Sequence, residues 1–160
     1  SVTALAHVGD TLYFRKYDVV YGTELWTSDG TVAGTVMVKD IKPGTASSGV
    51  SNFTDLGGTL YFMADDGANG RELWKSDGTE AGTVMVKDIQ PGTGNGTPED
   101  FTNVAGPPYF TAYDGANGLE LWTSDGTAAG TVLVKDISPG TANSNATELA
   151  HVGRPLSSRI

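Results

Sequence analysis

The sequence repeats itself at a spacing of 48 residues, and this period restricts the chain to architectures built from like units. Glu24-Leu25-Trp26 returns as Glu72-Leu73-Trp74 and as Glu120-Leu121-Trp122. Ser28-Asp29-Gly30-Thr31 returns at Ser76 and Ser124, and Val38-Lys39-Asp40-Ile41 at Val86 and Val134. Tyr13-Phe14, Tyr61-Phe62 and Tyr109-Phe110 keep the same register upstream. A fourth copy opens with Leu149-Ala150-His151-Val152-Gly153, which matches Leu5-Ala6-His7-Val8-Gly9. It then decays, with Ser157 and Ser158 where the aromatic pair belongs.

Turn residues cut the second repeat into four short apolar pieces. Phe53 to Leu56 precedes Gly57-Gly58, a pair suited to a hairpin turn with positive φ. Thr59 to Ala64 alternates, with apolar side chains on both faces, as expected of a strand covered on both sides. Arg71 to Lys75 and Thr83 to Ile89 complete the set, separated by Asp/Gly/Asn-rich turns. No window holds a sustained helical period. The unit reads as a four-stranded antiparallel meander.

Such units bury their two faces by stacking on neighbours. The predicted fold is therefore all-β, with β-propeller-type blades; a β-trefoil, which also has three four-stranded repeats, is the alternative. The blades are expected over about 3–43, 51–91 and 99–139 of a single repeat domain, with an extra partial repeat over 147–160. Glycine is abundant at 22 residues, which suits many turns, while aromatic and β-branched residues set the chain apart from disordered sequences. A net charge of -9 argues against nucleic acid as a partner. No run reaches the roughly 18 apolar residues of a membrane-inserted helix. The absence of cysteine excludes disulfides and thiolate metal sites.

The string Glu-Leu-Trp-x-x-Asp-Gly-Thr, three times present with a downstream Gly-Thr-x-x-Val-Lys-Asp-Ile, resembles the ELWxxDGT repeat family. That resemblance covers nearly the whole chain. It implies β-propeller-like repeats in secreted or surface-associated, mostly bacterial proteins, and it implies no catalytic residues. The chain departs from the pattern at Asp18-Val19-Val20-Tyr21-Gly22, where the later repeats have Asp-Gly-Ala-Asn-Gly, and again at Pro107-Pro108.

Calcium is the one cofactor the residue types admit. Asp66, Asn69 and Glu72 in the second repeat, and Asp114, Asn117 and Glu120 in the third, supply oxygens around glycine-rich turns. The competing reading is that Asp-Gly and Asn-Gly simply form turns. Trp26, Trp74 and Trp122 are candidates for stacking on sugar rings, against a packing role between blades in which the indole N–H finds a partner. Asp29, Asp77 and Asp125 are expected to close their turns by accepting backbone N–H groups. Lys39, Lys87 and Lys135 read as exposed strand residues. His7 and its repeat equivalents Asp55 and Asn103 read as a wet strand end.

No nucleophile-elbow motif or metal-ligand spacing points to an enzyme. Two functional classes stay open: a non-enzymatic extracellular binding or adhesion module for carbohydrate or another cell-surface partner, and a structural, self-assembling propeller fragment. Three blades leave two end faces open, so the expected partner is a second copy, most simply in a dimer forming one six-bladed ring.

Overall fold

The computed structural model describes residues 2–103, 106–144, 146 and 149. The partial repeat expected over 147–160, including His151, lies outside the described residues apart from Leu149. Twelve strands form three antiparallel sheets of four, and no helix occurs among the described residues. The first sheet holds β1 (Val2–Val8), β2 (Thr11–Asp18), β3 (Gly22–Ser28) and β4 (Val36–Lys39). The second holds β5 (Ser51–Leu56), β6 (Thr59–Asp65), β7 (Arg71–Ser76) and β8 (Val84–Lys87). The third holds β9 (Glu99–Thr102), β10 (Tyr109–Tyr113), β11 (Leu119–Thr123) and β12 (Val132–Lys135). Strand order in each sheet follows chain order, so every sheet is a meander made from one repeat.

The local sequence explains the meander. Gly57 and Gly58 have φ of 65° and 85°, which lets two residues join β5 to β6, and the Asp55 carboxylate accepts the Gly58 N–H at 2.9 Å. Leu60, Phe62 and Ala64 of β6 face the first sheet, in a core with Tyr13, Leu25, Val38 and Trp74. Tyr61 faces the third sheet instead, with Leu73, Val86, Phe110, Ala112 and Trp122. The period-two alternation thus gives the middle sheet two buried faces. Strand β8 stops at Lys87, short of the expected Ile89, because the Ile89 N–H leaves the ladder for the Glu72 carboxylate at 2.8 Å.

Like residues make both junctions between sheets. Lys39 donates across the first junction to the carbonyls of Thr83 at 2.8 Å and Glu80 at 3.5 Å. Lys87 repeats this at Thr131, 2.7 Å, and Ala128, 3.3 Å. This corrects the reading of these lysines as exposed: both are half-buried struts, and only Lys135, whose own face has no following sheet among the described residues, is exposed. No helix is long and apolar enough to cross a membrane among the described residues.

Candidate functional site

The Glu of each Glu-Leu-Trp triplet is fully buried, an unusual place for a carboxylate. The Glu24 oxygens accept the N–H groups of Ile41 and Ser48, each at 3.0 Å. Those of Glu72 accept from Ile89 at 2.8 Å and Gly96 at 2.8 Å. Each carboxylate therefore ties its strand to the connection that leads into the next repeat. Burial pushes Glu24 and Glu72 up to about 7, against the lowering pull of the N–H donors. Glu120 is less complete: its Oε2 accepts Ile137 N–H at 3.0 Å, while Oε1 has no partner among the described residues.

This separates the residues grouped above around calcium. Asp66 Oδ1 accepts the N–H of Ala68 and of Asn69, both at 2.8 Å, and its Oδ2 accepts the Asn69 amide at 2.7 Å. Asp114 and Asn117 repeat the arrangement at 2.6 to 2.9 Å. Glu72 and Glu120 serve the connections instead. No group of three or more His, Asp or Glu that could hold a metal ion occurs among the described residues.

The Asp29, Asp77 and Asp125 turns form as the sequence suggests. Asp77 Oδ1 accepts from the Thr79 N–H at 2.9 Å and hydroxyl at 2.7 Å, and these bonds hold its carboxyl below the usual range. Gly78 and Gly126 are needed here: their positive φ and the Tyr13 or Tyr61 hydroxyl above them leave no room for a side chain. Trp74 and Trp122 lie in the two cores, 6% and 5% exposed, so stacking on a sugar would require the sheets to part. Trp26 is half-buried on the outward face of the first sheet, with the Lys16 ammonium 4.0 Å from its ring centroid. None of the three indole N–H groups has a partner among the described residues, in contrast to the expectation. His7, Asp55 and Asn103 are exposed, as a wet strand end requires.

At one place where sheets meet, the lining comes largely from positions that differ between repeats. One cleft of about 490 Å³, between the second and third sheets, is lined by Gln90, Asn95, Thr97, Tyr113, Leu119 and Asn143. Asn95 Oδ1 accepts the Arg71 N–H at 2.9 Å and Asn143 Oδ1 the Leu119 N–H at 2.8 Å, which leaves each amide NH₂ as a donor. At the corresponding place between the first and second sheets, Lys42 and Asp65 form an ion pair at 2.6 Å. None of these residues was a candidate binding residue from sequence. The available signal was divergence: Lys42, Ser47, Gly49, Asp65 and Arg71 become Gln90, Asn95, Thr97, Tyr113 and Leu119 beside the recurring Glu-Leu-Trp and Asp-Gly-Thr motifs. In comparisons with family models, curated proteins and solved structures, nothing matches the chain.

Proposed function

We propose that the chain is a non-enzymatic binding and adhesion module built from β-propeller blades and acting outside the cell. The observation that carries this reading is a division of labour between polar residues. The acids that recur at every repeat hold the frame, Glu24 and Glu72 by tying connections to strands and Asp29, Asp77 and Asp125 by closing their own turns, while side chains that vary between repeats line a cleft at a sheet junction. Face-to-face stacking of sheets that each derive from one repeat supports blades over a trefoil, in which strands of different repeats share a barrel. The resemblance to ELWxxDGT repeats supports the extracellular setting. A glycan array tests the binding function: reproducible binding of a sugar class is expected, and a blank array removes carbohydrate from the reading.

A second reading, self-assembly, is favoured by the outer face of the third sheet. Val134 and Ile137 are 46% and 49% exposed, whereas Val86 and Ile89, their equivalents, are 5% and 3% exposed. The first sheet of a second copy would cover them in a six-bladed dimer, with Lys135 reaching the carbonyls of Val32 and Thr35 of the partner subunit. Light scattering on the eluting protein decides this: twice 16.6 kDa is expected, and a compact monomer overturns it.

A further inference from the structure

We infer that the cleft between the second and third sheets binds a neutral, polyhydroxylated ligand, a pyranose unit, with the Tyr113 ring and Leu119 against its C–H face. The inference rests on the binding-module reading and assigns it a place. Three observations carry it.

The first is the chemistry of the lining. Gln90, Asn95 and Asn143 present planar amides, and none of their NH₂ groups has a partner among the described residues. Amides that both donate and accept match hydroxyls, which do the same. Tyr113 and Leu119 add a half-buried apolar surface beside them. No charged side chain lines this cleft, although the chain carries a net charge of -9. A neutral lining selects neither an anion nor a cation.

The second is the internal control. At the equivalent junction one repeat earlier, Lys42 stands for Gln90, Asp65 for Tyr113 and Arg71 for Leu119. Lys42 and Asp65 close on each other there at 2.6 Å. The same backbone frame thus carries an ion pair at one junction and an open neutral cleft at the next. Packing between the sheets does not require the neutral residues, because the earlier junction packs without them.

The third is backbone conformation. Thr97, which lines the cleft, has φ of +43°, whereas its equivalent at the earlier junction is Gly49 with φ of +64°. A β-branched residue in this region is an outlier, and such residues concentrate at ligand clamps. Here a threonine lines the cleft in place of the glycine that the backbone favours.

Saturation-transfer NMR on the whole chain tests the site, using the methyl glycosides of glucose, galactose, mannose and N-acetylglucosamine at millimolar concentration. At least one is expected to receive saturation. Gln90→Lys with Tyr113→Asp imports the ion pair of the earlier junction, so it is expected to abolish the signal while the melting temperature holds. Lys42→Gln with Asp65→Tyr should leave the original signal intact. Transfer that survives Gln90→Lys with Tyr113→Asp overturns the site but leaves the binding-module reading standing. Absence of transfer from all four glycosides overturns the inference, and a blank glycan array alongside it removes carbohydrate from the wider reading as well.

Discussion

The second and third repeats carry nearly the same residues at the same positions, yet among the described residues only the second has a sheet on each side. Leu73 is wholly buried and Leu121 half-buried; Ile89 is 3% exposed and Ile137 49%. The turns do not register this difference. Thr79 and Thr127 bond Asp77 and Asp125 alike, and the Ser76–Thr83 and Ser124–Thr131 hydroxyl pairs are both 2.7 Å apart. Hydrogen bonds therefore fix the shape of each blade from within, whereas the burial of its downstream face is supplied by the next repeat. Stability in such an array is a sum of intrinsic and neighbour terms, and the second repeat receives both neighbour terms.

The largest expected effect separates the covered from the outward tryptophan. Trp74→Ala should cost about 3 to 5 kcal/mol, since a large aromatic leaves a filled core. In a lone chain Trp26→Ala should cost less than half of that, because its ring is half-buried on the outward face, whereas a six-bladed dimer would cover the ring and bring the two losses together. Urea unfolding of both variants checks this. Equal losses would mean that the outward face of the first sheet is covered in solution as fully as the middle sheet, which the six-bladed dimer requires.

The carboxylate ties give the next effect. Glu72→Ala leaves three N–H groups, of buried Ile89, half-buried Gln90 and buried Gly96, without their acceptor. At about 1 to 3 kcal/mol for each such group, the loss should be on the order of 2 kcal/mol or more. Glu120→Ala removes one acceptor, and exposed Ile137 lets water replace it, so the loss should be under about half as large. Amide exchange would locate the difference: Ile89 should exchange faster in the Glu72 variant, while a loss of equal size in both variants would contradict the contrast between the repeats.

Much of this frame was legible in the sequence, and the reasons are local. Gly57-Gly58, Asp77-Gly78 and the alternation of Thr59 to Ala64 each determine their structure within a few residues, so the strands of the second repeat were placed to within two positions at every end. The role of Glu72 was not legible. On the page it stands three residues from Asn69 and invites a calcium site, whereas its partners Ile89 and Gly96 lie 17 and 24 residues away. A buried acid is so costly that sequence reasoning places it in water. Its recurrence on an otherwise apolar strand was the available clue. Lys39 and Lys87 were misplaced for the same reason, because their acceptors belong to the following repeat.

The last effect is a dependence on pH that uses the same carboxylates. In the folded chain, burial raises Glu24 and Glu72 to about 7 from an ordinary value of 4.5. The folded state thus binds protons more tightly than the unfolded state between these two values. The stabilisation is fully present below 4.5 and is lost as pH rises through 7, so stability should fall from pH 5 to pH 8. The aspartates of the turns act in another window: Asp29, Asp77 and Asp125 are held below 3.8 by their threonine partners, so their contribution is lost only as pH falls lower still. Between pH 5 and 8 the glutamates therefore act alone among these groups, and the melting temperature should be several degrees higher at the acid end. Glu72→Gln should remove about half of that slope, since one of two comparable groups is lost, and Glu24→Gln with Glu72→Gln most of it. The slopes are the measurement to compare, because each amide also lowers stability at every pH. A profile that stays steep in the double variant would assign the dependence to the overall negative charge rather than to the two buried ties.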